Sequence, residues 1–509
     1  MATLAAAALA TPLLLASASP AATADHHTPK DRGSSAAKLA AKLVKKSSAD
    51  DAFDHLEKFQ RISDTTGNRA AGTLGYDASA AYVFQQLKKA GYNVSYQPFQ
   101  FPYIETQAEK LDVVSPAARP VGVVAMDYTK STPVGGITAD LAAVPVDATT
   151  GCEPTDYASG TYTGKIALIK RGGCTFAQKQ ATAADAGAVA ALIYNNLDGS
   201  MGGTLGDPAG VKIPTGGVVL TEGERLAGEL ANGPVRVKLD LRQLQETRTT
   251  RNVIAETKHG NAANTVMLGA HLDSVSEGAG INDNGSGSAG LLEVAEELAK
   301  AEKRPTNKIR FAWWGAEENG LLGSEAYVAS LSSLGKKEIK AYLNFDMIAS
   351  PNYGIFLYDG DDSDGVGAGP GPEGSAQIER DMQKFLDGRN TPHEGTDFSG
   401  RSDYGPFIEV GIPAGGTFTG AEVKKTEAQA AKFGGTAGIA YDPNYHGAGD
   451  NLSNVSMKAF GINIGIIANA AGTYAHDISS LTKPVPPAGP TGGPSGSGGL
   501  RDGHTVVTE

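Results

Sequence analysis

From Asn252 onward, short apolar runs alternate with amphipathic helical stretches, and that alternation leaves few architectures open. Strands are expected at 266–270, 309–314, 341–345, 355–358 and 414–418. Between them, a helix over 289–300 puts Leu291, Leu292, Ala295 and Leu298 on one face, and a closing helix is expected over 457–474. Strands that follow one another through helices pair in parallel, with the helices covering the sheet. The fold class expected is therefore α/β: a mostly parallel mixed sheet flanked by helices, with an inserted β-rich domain.

The insertion is read from the first half of the chain. Phe53, Leu56, Phe59 and Ile62 recur at helical spacing, and Gly67-Asn68 marks a turn. A second helix is expected over 79–90, ended by Gly91, and 94–101 alternates like a strand. Between 115 and 243 the pattern changes to short strands (121–125, 165–170, 190–194, 237–241) around one helix at 176–188. With 509 residues there is room for two or three domains. The expected organisation is one domain split over 49–114 and 244–482 and interrupted by 115–243, since a module on a surface loop adds little closure entropy. Residues 1–24 read as a secretion signal, with apolar runs at 4–10 and 13–18 and a small-residue cleavage site at Ala22-Thr23-Ala24. No Lys or Arg precedes the apolar run. Residues 25–48 are expected to be a propeptide or linker, or simply a frayed helix, and the Pro/Gly-rich tail 483–509 is expected to be disordered.

Composition excludes some functions. The formal net charge is −12, and no basic run carries interleaved aromatics, so nucleic acid is not an expected partner. No stretch beyond the leader has about 18 consecutive apolar residues, so no membrane span is expected. The 2 cysteines, Cys152 and Cys174, suit an exported protein with one disulfide. The chain is expected to be secreted and monomeric.

Five imidazole and carboxylate side chains stand at expected strand ends or in turn-rich loops: His271, Asp283, Glu318, Asp346 and His446. Nitrogen and oxygen ligands without thiolate suit a hydrolytic zinc site with open positions. Five are too many for one closed tetrahedral ion, but enough for two ions sharing a carboxylate, and this leaves Glu317 free to handle a proton. His271, Glu317 and Asp346 closely follow apolar strands and should reach the carboxyl edge of the sheet, where open parallel sheets bind ligands. Asp283 and His446 come from loops and must converge by folding.

Two resemblances sharpen this. The run Gly164-Lys165-Ile166-Ala167-Leu168-Ile169-Lys170-Arg171-Gly172-Gly173-Cys174-Thr175-Phe176, with Ala186-Gly187-Ala188 and Tyr194-Asn195-Asn196, resembles a protease-associated domain. In such domains paired cysteines are commonly bridged, which fits Cys152 with Cys174. His271-Leu272-Asp273, Asp283, Glu317-Glu318, Asn344-Phe345-Asp346-Met347 and Tyr445-His446, with the earlier Gly67-Asn68-Arg69-Ala70, resemble the secreted bacterial double-zinc leucine aminopeptidases. That resemblance implies two Zn2+ per chain. One would be held by His271 and Asp346, the other by Glu318 and His446, with Asp283 bridging. It makes Glu317 the general base, Tyr445 a stabiliser of the tetrahedral intermediate, and Asp273 an acceptor for the free N–H of His271. Arg401 would face the substrate, and Met347 and Phe418 would line an apolar pocket for the first side chain of a peptide. Relatives often flank the Tyr-His pair with a disulfide. Here those positions are Asn444 and Gly449, so that loop must be held otherwise. Some relatives also bind calcium, for which no acidic set is assigned in this chain. The alternatives are a related glutamate-releasing zinc carboxypeptidase, for which Arg401 is the single basic candidate, and a catalytically silent binding protein on the same scaffold.

Overall fold

The computed structural model describes residues 29–199 and 201–485. The expected leader at 1–24 and the tail beyond 485 lie outside the described residues. The strand Asn261–His271 is central, with Asn307–Trp314 and Ile339–Phe345 parallel to it on either side. Ala414–Phe418 extends the sheet in parallel, Phe356–Tyr358 adds to it antiparallel, and Glu394–Thr396 closes that edge. The expected mixed, mostly parallel sheet is what forms.

Its interior follows from period-2 placement. Val266, Leu268 and Ala270 point into a core shared with the helices Ala49–Thr66, Gly287–Ala301 and Met457–Tyr474. Met267 faces the other side, among Trp314, Tyr342 and Phe407, where Tyr342 and Phe407 stack with centroids 3.9 Å apart. The helix Ala49–Thr66 starts where the Ser48 hydroxyl accepts from the Asp51 amide, with Asp50 and Asp51 in its positive first turn. The next helix begins at Leu74 rather than at 79. Thr73 caps it, and Gly75 belongs to its first turn because an added Cβ would stand 1.8 Å from the Asn68 carbonyl oxygen. Glycine at this position permits a close approach between backbones.

Two expectations change. Of residues 25–48, expected to be a propeptide, a linker or a frayed helix, Pro29–Lys46 forms a regular helix docked on Met457–Tyr474. Ala36, Leu39, Ala40 and Leu43 are buried along one face. The strand expected at 94–101 runs from Asn93 to Ser115, antiparallel to Arg236–Glu256, with two register shifts. Most of its side chains are exposed, so its sequence lacks the apolar alternation that would have marked its length.

This ribbon leads into a second set of strands, Ile137–Ala143, Ile166–Lys170, Ala190–Tyr194 and Thr215–Val218, which carries its own apolar clusters. Arg236–Glu256 serves both sheets: Leu239 pairs with Ile137, and Val253 pairs with Trp313. Backbone pairing is therefore continuous through residue 243, where a domain border was expected. Cys152 and Cys174 are bridged, with Cα atoms 5.9 Å apart.

Candidate active site

Three neighbouring strands deliver three of the candidate side chains. His271 ends the central strand opposite Trp314, Glu317 lies three residues past Trp314, and Asp346 follows Phe345 on the other flank. Neighbouring strands lie about 4.8 Å apart, so side chains leaving adjacent ends meet. His271 Nε2 is 3.2 Å from Asp346 Oδ1 and 3.8 Å from Glu317 Oε2.

The loops supply the rest. Asp283 Oδ1 lies 3.3 Å from His271 Nε2, and its Oδ2 lies 3.1 Å from His446 Nε2. Glu318 Oε2 is 3.1 Å from the same His446 nitrogen. All five expected ligands and Glu317 thus converge, with Asp283 between the two imidazoles. Asn284 ties the Asp283 loop to the Asp346 strand: its Nδ2 donates to the Phe345 carbonyl at 2.9 Å, and its Oδ1 accepts the Met347 amide at 3.2 Å. Ala316, Met347 and His446 adopt positive φ (57°, 47° and 55°), which is unfavourable for residues with a Cβ. Each is one of the expected ligands or sits next to an expected ligand or Glu317.

The electrostatics demand positive charge. Burial alone would lower both imidazoles, yet Glu317 and Asp346 hold His271 well above the usual histidine range. Glu318 and Asp283 likewise raise His446 to about 11. Burial pushes the Glu318 carboxyl up to about 7, with Asp283 adding to the rise, and pushes Glu317 well above the usual range. Without another cation, protons must offset the crowding of these carboxylates. Glu318 Oε1 is buried and has no hydrogen-bond partner among the described residues. An acceptor-rich cluster with an orphaned carboxylate oxygen fits zinc well.

The expected supporting residues stand as follows. The Asp273 carboxylate accepts the backbone amides of Glu317 and Glu318, each at 3.3 Å, and so fixes the Glu-Glu turn. The His271 Nδ1 contact at hydrogen-bond distance is the Asp273 backbone carbonyl at 3.2 Å, while the carboxylate is 3.8 Å away. The tautomer is thus set by the main chain more than by the side chain expected. Tyr445 stacks on His446 with centroids 3.9 Å apart, and its hydroxyl oxygen accepts from Arg401 Nη2 at 3.2 Å. Arg401 also pairs with Glu422 at 3.0 Å, so it enters the site already engaged. Met347 is buried directly after Asp346, and the amide of Thr419, next to Phe418, donates to its carbonyl at 2.9 Å.

Several residues escaped the sequence reading. Ser402 donates to Asp346 Oδ2 at 2.5 Å. Buried Arg69 donates to the carbonyls of Leu272, Ala279 and Gly280. Asp450 and Asp442 hold the Asn282–Asp283 segment. Their partners are mostly backbone groups far away in sequence, which leave no local pattern. Arg69 and Ser402 had a signal, as parts of Gly67-Asn68-Arg69-Ala70 and Gly400-Arg401-Ser402-Asp403-Tyr404. A further carboxylate group, Asp359, Asp361 and Glu379, lies apart from these. Asp359 accepts the amides of Asp361, Ser363 and Asp364, and Glu379 that of Gly360, which satisfies a loop.

Residues 252–471 match Peptidase family M28, and residues 137–226 match the PA domain. A probable lipoprotein aminopeptidase, LpqL, of Mycobacterium tuberculosis is 46% identical over 88% of this chain and 89% of its own. Leucine aminopeptidase 2 of Trichophyton tonsurans is 45% identical over 84% of this chain and 85% of its own. The solved zinc aminopeptidase BSAP of Bacillus subtilis superposes with a TM-score of 0.61 at 27% identity, covering 84% of this chain and 95% of that one. Its relatives thus include fungal as well as bacterial proteins. The chain belongs to peptidase family M28, as a metalloaminopeptidase with an inserted PA domain.

Proposed function

We propose that this protein is a secreted dinuclear zinc aminopeptidase that removes large apolar residues, Leu, Met or Phe, from the amino end of peptides. The observation that carries the reading is Asp283, whose two oxygens lie 3.3 Å from His271 Nε2 and 3.1 Å from His446 Nε2. His271 and Asp346 would hold one zinc and Glu318 and His446 the other, with Asp283 shared. Bound there, the ions supply Lewis acidity and lower the pKa of a water molecule.

The protein's own groups do the rest. Glu317 is buried beside the cluster but outside the ligand set, and burial raises its proton affinity. It takes the proton of the attacking water and returns it to the leaving amine. Tyr445 accepts from Arg401, so its own O–H is left to donate to the developing oxyanion. The carboxylates of Glu317 and Asp346 hold the free ammonium of the substrate, which restricts the reaction to the first bond. Met347 and Phe418 receive the apolar side chain.

The test is release of free amino acids from a peptide ladder, with and without chelator and after zinc is added back. Stepwise release from the amino end, abolished by chelator and restored by zinc, is expected. Hydrolysis of amino-terminally blocked peptides, or cleavage indifferent to chelator, overturns the reading.

A further inference from the structure

We infer that Asp450 is a positioning residue for the shared ligand, fixing the backbone that carries Asp283 so that its carboxylate can serve both imidazoles; this rests on the two-zinc reading. Asp450 Oδ1 accepts the Asn282 amide at 2.8 Å, and Oδ2 accepts the Asp283 amide at 2.9 Å. The Ile281 amide donates to the Asp450 carbonyl at 3.3 Å. Three successive amides of the Asp283 loop therefore end on one residue. Asn454 Nδ2 adds a donor to Oδ1 at 3.1 Å, and the residue is 2% exposed. With N–H donors on both oxygens, Asp450 is engaged with the backbone that carries Asp283, and it acts through Asp283.

Asp450 lies four residues beyond His446, so one short segment delivers a ligand and holds the backbone of another. Asp442, four residues before His446, accepts from Asn282 Nδ2 at 2.7 Å and from Asn454 Nδ2 at 2.8 Å. The same segment is pinned inside itself. Asn444 Nδ2 donates to Asn454 Oδ1 at 2.7 Å, and a Cβ on Gly449 would stand 2.1 Å from Asn444 Oδ1. From the opposite side Arg69 grips the carbonyls of Ala279 and Gly280 at 2.8 and 2.6 Å. The loop is clamped at amides on one side and at carbonyls on the other.

A carboxylate is the right group here. It is the short side chain that can accept two parallel backbone N–H groups on separate oxygens. An Asn at 450 would turn an NH2 toward one of them and orphan it.

The experiment uses the full chain loaded with zinc, with zinc affinity and stoichiometry measured by competition against a chelating indicator. The variants are Asp450→Asn, which is isosteric, Asn454→Ala, which loosens Asp450 without changing charge, and Leu43→Ala, a core change in the docked N-terminal helix. Asp450→Asn is expected to bind zinc roughly 10–100-fold more weakly, the range typical of groups that orient metal ligands. Excess zinc should restore its kcat with KM unchanged. Asn454→Ala should shift zinc affinity in the same direction by less, and Leu43→Ala should lower Tm and leave zinc affinity alone. Wild-type zinc affinity in Asp450→Asn, or equal weakening in Leu43→Ala, overturns the inference. A wild-type chain that saturates below two ions overturns the two-zinc reading itself.

Discussion

His446 Nε2 stands 3.1 Å from Glu318 Oε2, and the other oxygen of Glu318 is buried with no partner among the described residues. Its neighbour Glu317 makes no such contact with His446 and approaches His271 Nε2 only at 3.8 Å. Adjacent residues of one type are thereby given different environments, Glu318 against His446 and Glu317 against His271. The Asp273 carboxylate, accepting both backbone amides, keeps the two side chains on their separate courses.

Glu317→Gln is expected to lower kcat on the order of 10² to 10⁴, the usual size of acid–base catalysis, while zinc content stays at the wild-type level. Glu318→Gln should instead lose zinc, because an amide is a poorer ligand than a carboxylate. Metal analysis alongside kinetics separates the two. Equal zinc loss in both variants would contradict the assignment of roles.

Tyr445 and Arg401 should act as a unit, because the hydroxyl accepts from the guanidinium at 3.2 Å. Tyr445→Phe removes the donor to the oxyanion, and Arg401→Ala leaves that hydroxyl free to turn its proton elsewhere. Each single change is expected to reduce kcat, with a smaller effect for Arg401→Ala. The double variant should cost clearly less than the sum of the two, as residues in one network do. Additive losses on a common peptide substrate would indicate that the two side chains work independently.

Glu293 gives a pH dependence far from the zinc site. It accepts the Ser48 amide at 3.3 Å at the junction of the two N-terminal helices. Burial raises its pKa from 4.5 to about 7; the Ser48 amide opposes the rise, Asp51 and Glu297 add to it, and Lys300 opposes it. A carboxyl whose folded pKa is raised contributes stability that is fully present below its unfolded value and is lost as pH rises through the folded one. The window is therefore about pH 4.5 to 7. Glu293→Gln, which mimics the protonated form, should match the wild-type Tm near pH 4.5 and exceed it by a few degrees at pH 8. A Tm difference that does not change across that range would refute the shift.

Much of this was legible because the sheet's chemistry is local. His271, Glu317 and Asp346 follow uninterrupted apolar runs, and polar groups at the ends of buried strands have few places to go except the carboxyl edge. Asp283 and His446 were legible only as partners in a pattern, since their meeting depends on loops whose course no periodicity encodes. Asp450 and Asp442 were illegible for the same reason: the hydrogen bonds by which they hold the Asp283 loop go to a segment far away in sequence. The strand expected at 94–101 falls short of the observed 93–115 because most side chains of that strand face solvent and give little apolar alternation. In the helix Pro29–Lys46 the buried face alternates small and large residues, Ala36, Leu39, Ala40 and Leu43, and Ala40 lies where the helices approach closely.

That close approach can be tested directly. A Cβ on Gly472 would stand 2.5 Å from the Ala40 Cα and 2.6 Å from its nitrogen, so the helices Pro29–Lys46 and Met457–Tyr474 touch backbone to backbone. The obstructing atoms are main chain and cannot rotate away. Gly472→Ala gains about 1 kcal/mol in helix propensity, but overpacking of this kind costs about 1–3 kcal/mol. The net expectation is a lower Tm in the full chain, with exposure of the N-terminal helix to limited proteolysis. Deleting residues 29–46 should then reverse the sign: with the obstruction gone, the same Gly472→Ala change keeps its propensity gain and stabilises the shortened chain. A Gly472→Ala effect of the same sign and size with and without the helix would mean that the two helices do not pack in solution as they do here.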